Sequence, residues 1–259
     1  MHSGGLLYPL SGLAVGVLVG MTGMGGGSLM TPLLILFFGV HPATAVGTDL
    51  LFAAATKSSG TLIHGLSRTI AWPVVGRLAA GSVPTTALTL FGLSKLDIAG
   101  SMATGLITAA LSGGLFLTAA ALIFRKRVLA LYGARLAALT PRQTAALTVL
   151  TGAVLGVSVS ISSVGAGALG VTALILLYPR VPTVRIVGSD IAHAVPLTLL
   201  AGIGHWFLGS VDWSLLGALL VGSLPGIVLG GYLATRMPDA VLRFTLAGAL
   251  ILVGGRLAL

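Results

Sequence analysis

From Met1 to Thr48 the chain contains no Asp, Glu, Lys or Arg, and further charge-free runs cover Ile98 to Phe124, Gln143 to Pro179, Ile191 to Val211 and Trp213 to Thr235. A helix that crosses a hydrocarbon core about 30 Å thick needs about 20 such residues, so several crossings are expected. With 56% hydrophobic residues, 7% charged residues and a mean hydropathy of +1.09, the chain reads as a polytopic membrane protein. The Gly-rich texture lacks ten-residue segments of alternating polarity, which points to an all-α fold and away from a β-barrel. The segment before Leu6 has no basic n-region and its apolar run continues into the body of the protein, so no cleavable signal is expected.

The chain repeats itself. Val46 to Leu88 aligns with Val187 to Leu229 at a constant offset of 141, pairing Gly47 with Gly188, Asp49 with Asp190, His64 with His205 and Trp72 with Trp213. Gly81, Ser82 and Pro84 likewise match Gly222, Ser223 and Pro225. Rare residues falling in one register mark a duplicated architecture. The division expected is an N-terminal repeat over 1–124, a basic linker over 125–142 and a C-terminal repeat over 143–259. Each half parses as a short apolar segment (Leu6 to Gly20; Gln143 to Ser158), a Gly/Ser break, a second short segment (Ser28 to Phe38; Ala166 to Tyr178) and three longer helices.

The short pieces are either arms of a re-entrant hairpin or halves of an interrupted span. In the hairpin arrangement one face collects Arg68, Arg77, Arg125, Lys126, Arg127, Arg135, Arg142, Arg180, Arg185, Arg236 and Arg243 against Lys95 and Arg256, eleven against two. Interrupted spans divide the same residues eight against five. Because Lys and Arg accumulate in cytoplasmic loops, the hairpin is the expectation, with the second half inverted relative to the first and both termini extracytoplasmic. The net charge of +9 then encodes orientation in the membrane, and no nucleic-acid partner is expected.

Breaking a helix inside a bilayer strands backbone N–H and C=O groups unless protein, water or solute satisfies them, so each break marks a cavity. In "TGMGGGS", Gly23, Met24, Gly25, Gly26, Gly27 and Ser28 let the backbone turn while the next helix points its free amides at the gap, the arrangement of an anion site. "SISSVGAGA" is the counterpart, with Ser160, Ser162 and Ser163 beside Gly165 and Gly167. Four-spaced glycines such as Gly12, Gly16, Gly222 and Gly226 read as helix-packing positions instead.

Lys57 lies mid-way along a helix from Thr44 to His64, where it needs a cavity, a counter-ion or an anionic solute; Thr198 holds the equivalent place in the second half. Asp49 and Asp190 read either as caps near helix starts or as carboxylates that exchange protons as a cavity opens to each side. His64 and His205 are further proton-coupling candidates, with interfacial or dipole roles as the alternative. Trp72, Trp206 and Trp213 read as interfacial anchors. No residues have metal-ligand spacing, and with no cysteine there is neither a disulfide nor a thiolate site.

"GVLVGMTGMGGGSLMTPLL", "HPATAVGTDLLFAAATKSSGTLIH" and "AAGSVP", with the echoes "VRIVGSDIAHAVPLTLLAGIGHW" and "VGSLPG", resemble the TauE/SafE family of sulfite and organosulfonate exporters over nearly the whole chain. The resemblance implies a multi-pass transporter of the bacterial inner membrane that exports a small sulfur-containing anion such as sulfite or sulfoacetate. No cofactor is implied, the partners are the anion and the lipid bilayer, and a homo-oligomer is compatible with it. The absence of a G-x-x-x-x-G-K-[ST] motif makes ion gradients the energy source. A passive anion channel is the alternative reading. An intramembrane enzyme is disfavoured by the absence of Glu, Cys, H-E-x-x-H and G-x-S-x-G.

Overall fold

The structure, a computed structural model, describes residues 7–22, 27–97, 100–165, 167–234 and 239–258. Among them lie ten α-helices and no strand: α1 (Leu7–Thr22), α2 (Gly27–Phe38), α3 (Pro42–Leu66), α4 (Trp72–Leu93), α5 (Ser101–Ala137), α6 (Pro141–Ser162), α7 (Ala168–Leu177), α8 (Thr183–Phe207), α9 (Trp213–Ala234) and α10 (Asp239–Ala258). Five of the described helices, α4, α5, α6, α8 and α9, are long and apolar enough to cross a bilayer. Helix α3, at 25 residues, is equally long but carries Asp49 and Lys57. Large apolar side chains such as Phe37, Phe207 and Leu252 project outward, where lipid rather than water covers them.

Two details differ from the sequence reading. Helix α6 has 22 residues and spans membrane length, so the expected short segment ending at Ser158 runs four residues further. Its extra turn contains Ser160 and Ser162, whose hydroxyls donate to the carbonyls of Gly156 (2.6 Å) and Ser158 (2.8 Å), so these polar residues sit inside the helix rather than in the break. The basic stretch from Arg125 is also not an open loop: α5 continues through it as one 37-residue helix, arginine and lysine being good helix formers. Only residues 138–140 separate α5 from α6, and Thr140 and Gln143 close a capping box at the α6 start.

Helix packing follows the repeat. Helix α1 packs on α9 as α6 packs on α4, α2 on α3 as α7 on α8, and α2 on α10 as α7 on α5, while α3 packs on its own equivalent α8 and α5 on α10. Hydrogen bonds repeat at the same offset: the Asp212 N–H donates to Thr48 Oγ1 (3.1 Å) and the Ala71 N–H to Ser189 Oγ (2.8 Å).

Glycine contacts give the helix directions. Gly47 packs against His205, Gly202 against Leu51, Gly60 against Ile191 and Gly188 against His64, so α3 and α8 run antiparallel. Helix α9 runs with α3, its start bonded to Thr48 and its Leu216 and Leu219 packed with Phe52. Helix α1 runs with α9, Gly12 lying on Leu219 and Gly16 on Ser223. Helices α1 and α3 therefore point the same way, and α2, joined to α3 by only residues 39–41, runs back between them. By the same reasoning α6 runs with α4 and α8, and α7 returns between α6 and α8.

Several glycines make the close crossings possible, among them the equivalent pair Gly81 and Gly222. A Cβ at Gly81 would overlap the carbonyl of Val149, and one at Gly222 the carbonyl of Pro9; neither backbone can yield without separating the helices. Gly81→Val and Gly222→Val are each expected to lower stability by about 1–3 kcal/mol, the usual cost of overpacking. Gly76→Val, where a Cβ meets nothing within 4 Å, is expected to leave it unchanged. Thermal unfolding in detergent measures all three.

Candidate functional site

Each half folds a short helix back between two longer ones, and each of those short helices starts beside a buried carboxylate. Of the first break, Gly23, Met24, Gly25 and Gly26 lie outside the described residues; Gly27 and Ser28 form the first turn of α2. Two turns further along, on α3, Asp49 is fully buried and its Oδ2 accepts hydrogen bonds from the Thr31 N–H (3.2 Å) and the Thr31 hydroxyl, close to the positive end of α2. The carboxylate thus serves α2, not the start of its own helix, which lies seven residues earlier at Pro42.

The second break is built differently. Helix α6 ends at Ser163, a non-glycine residue in left-handed conformation (φ 58°), and Gly165 (φ 124°) and Gly167 (φ 130°) carry the chain into α7. Only glycine adopts the last two without strain. The Ser163 side chain lies beside the Asp49 carboxylate, which brings the break of one half to the carboxylate of the other. Asp190, 2% exposed, presses its Oδ1 against Gly170 in the first turn of α7, where any side chain would displace it.

Lys57, 5% exposed, stands about 12 Å of helix rise beyond Asp49 and interacts with Asp190 and, less strongly, with Asp49. Its equivalent Thr198 returns its hydroxyl to the Ala194 carbonyl (2.7 Å), so this cluster holds a single ammonium group between two carboxylates from different halves. Of these two carboxylates, Asp190 comes from the opposite repeat.

Several polar atoms around this cluster are buried without a hydrogen-bond partner: Asp49 Oδ1, Asp190 Oδ1, Ser163 Oγ and His193 Nδ1. An unpaired polar group in a dry interior costs about 1–3 kcal/mol, and four such atoms lie around this cluster. By contrast, Ser162 is engaged at both its hydrogen and its oxygen, bonding Ser158 and the Val164 N–H (3.3 Å). His64 and His205 have structural partners. The Thr69 hydroxyl donates to the His64 carbonyl (3.1 Å) and so accepts from His64 Nδ1 (2.8 Å), bracing the turn after α3. His205 donates from Nε2 to the Ser160 carbonyl (2.9 Å), tying α8 to the end of α6. No group of three metal-ligating side chains occurs among the described residues. Thr31, Gly170, Ser82 and His193 escaped the sequence reading as site residues, because each acquires its place by contact across helices.

The sequence comparisons agree with this architecture. The family profile described as "Sulfite exporter TauE/SafE" matches residues 8–257. The chain belongs to the TauE/SafE family. A protein of Bacillus subtilis (strain 168), "Probable membrane transporter protein YjnA", is 40% identical over 95% of this chain and 96% of its own length. A "Probable membrane transporter protein" of Xylella fastidiosa (strain 9a5c) is 30% identical over 87% of this chain and 83% of its own. No solved structure matches the chain. This member of TauE/SafE is thus a multi-pass membrane transporter protein with a buried carboxylate beside the start of each returning helix.

If Thr31 is what makes the buried Asp49 carboxylate tolerable, Thr31→Val should cost about 1–3 kcal/mol in thermal unfolding. In an Asp49→Asn background the same substitution should cost clearly less, and a double-mutant cycle measures the difference.

Proposed function

We propose that the chain is a secondary transporter that exports a small sulfur-containing oxyanion, sulfite or an organosulfonate such as sulfoacetate, by alternating access coupled to protons. The observation that carries the reading is the buried Lys57, within electrostatic reach of Asp49 and Asp190, which lie beside the starts of the two returning helices among unpartnered polar atoms. Helix starts and an ammonium group are the donors an oxyanion needs in exchange for its water. The family description supports the cargo class, and the relatives' names support transport.

Charge balance supports the proton coupling. With both carboxylates ionised the cluster is net negative and repels an anion; a proton on Asp49 or Asp190 removes that repulsion. Binding of anion and proton therefore favour each other, and the carboxylates, not the tethered His64 and His205, carry the coupling. A dianion accompanied by one proton still moves net negative charge, so an interior-negative potential favours its exit by about 2.3 kcal/mol per 100 mV.

The two halves form inverted repeats in this account. Antiparallel packing of the equivalent helices α3 and α8 is what a two-fold axis in the membrane plane produces. The eleven basic residues then gather on one face, which is the cytoplasmic one, leaving Lys95 and Arg256 outside, in the bacterial inner membrane. Because the chain has no cysteine, Arg68→Cys and Lys95→Cys give single labelling sites. An impermeant maleimide applied to intact cells is expected to label the Lys95 site alone.

The decisive experiment is uptake of labelled sulfite, sulfoacetate and sulfate into proteoliposomes under imposed pH gradients. Flux that saturates, shows exchange between labelled and unlabelled anion, and follows the proton gradient is the expected result. Lys57→Ala should weaken anion binding at least tenfold with a much smaller effect on thermal stability. Flux that stays proportional to concentration without exchange would instead identify a passive channel.

A further inference from the structure

The internal repeat diverges at several polar positions near the centre, and two of them carry titratable side chains. One is Lys57, whose equivalent is Thr198; the other is His193, whose equivalent at the offset of 141 is Phe52. His193 is fully buried on α8, one turn beyond Asp190, and lies within electrostatic reach of Lys57. Phe52 is equally buried, but packs in an apolar cluster with Met30, Leu34 and Leu216.

The partners differ in step with this asymmetry. In the second half the Ser223 hydroxyl turns back to the Leu220 carbonyl on its own helix (3.3 Å). Its equivalent Ser82, fully enclosed, instead meets His193 Nε2 at 2.8 Å. A hydroxyl carries one hydrogen, and the imidazole nitrogen is the acceptor within reach of Ser82. If Ser82 donates to Nε2, the ring proton resides on Nδ1 and the hydroxyl hydrogen is satisfied; the opposite tautomer strands that hydrogen in a dry interior. His193 Nδ1, buried and without a partner, is then an N–H donor held in reserve.

We infer that His193 donates its Nδ1–H to the bound oxyanion, so that Lys57 and His193 form one asymmetric binding face between α3 and α8. This inference rests on the central cluster being an anion site. A neutral N–H beside an ammonium group suits a sulfite or sulfonate head, whose oxygens accept several hydrogen bonds at once. It also explains why a repeat that preserves both aspartates diverges at these two positions: two equivalent faces would offer the anion two competing poses, whereas one polarised face fixes a single one.

The test uses the full chain in detergent, titrated with sulfite and with sulfoacetate. His193→Phe, which installs the residue of the equivalent position, should weaken binding at least tenfold, and His193→Asn, which restores an amide N–H, should stay within about threefold of wild type. Nitrogen NMR of histidine-labelled protein, assigned by the His193→Asn difference, should show a protonated Nδ1 and a bare Nε2. Should His193→Phe fail to fold, Ser82→Ala takes its place: with Nε2 released, the tautomer should become mixed and binding weaken severalfold. Wild-type affinity in His193→Phe, or an Nε2–H tautomer in the wild type, overturns the inference while leaving the anion site standing. A folded wild type that binds neither anion overturns the anion site and the inference together.

Discussion

Everything in this fold answers to the cost of placing unpaired polar groups where no bulk water reaches. Two short helices, α2 and α7, run back between longer neighbours, and each helix start exposes amides that need acceptors. Asp49 accepts from Thr31 in α2, and Asp190 lies against Gly170 in the first turn of α7. Carboxylates so deeply buried in turn require positive charge, and Lys57 stands between them. The result is a set of buried groups in which Asp49 Oδ1, Asp190 Oδ1, Ser163 Oγ and His193 Nδ1 lack hydrogen-bond partners. A transporter needs such incomplete satisfaction: full pairing would leave nothing for a cargo, and much less would unfold the bundle.

Pseudo-symmetry organises the scaffold and asymmetry organises the site. Close crossings at Gly81 and Gly222, and the paired hydrogen bonds to Thr48 and Ser189, hold equivalent helices in equivalent settings. Lys57 and His193 depart from the duplication, and they do so together, on facing helices. A scaffold that is nearly two-fold with a cargo face that is single can present the same groups to either side of the membrane in turn.

Much of the architecture was legible in the chain because composition and rare-residue register speak directly to physics. Charge-free runs announce helices in lipid, and the offset of 141 announces duplication through Asp49, His64 and Trp72. Other features were hidden for identifiable reasons. Ser160 and Ser162 read as a break because polar letters in an apolar run look like an interruption, yet serine can return its hydroxyl to its own helix. The arginines after Phe124 read as a loop, although they extend α5. The neighbours of Lys57 could not come from spacing along α3 alone. A usable signal existed: once equivalent helices pair antiparallel, residues in contact have numbers summing to about 252, as 47 with 205 and 64 with 188 do. That register places Lys57 opposite the middle of α8, close to His193 and Asp190, rather than beside Asp49 alone.

The central claim is that an oxyanion sits against Lys57 where the two returning helices begin. Selenite copies the charge and shape of sulfite and carries a strong anomalous scatterer, so crystals of the protein soaked with it give the most direct test. The account predicts one anomalous peak within hydrogen-bond reach of the Lys57 ammonium group, lost in Lys57→Ala crystals. A peak confined to the basic surface near the α5 end, with the centre empty in an otherwise unchanged protein, would contradict it.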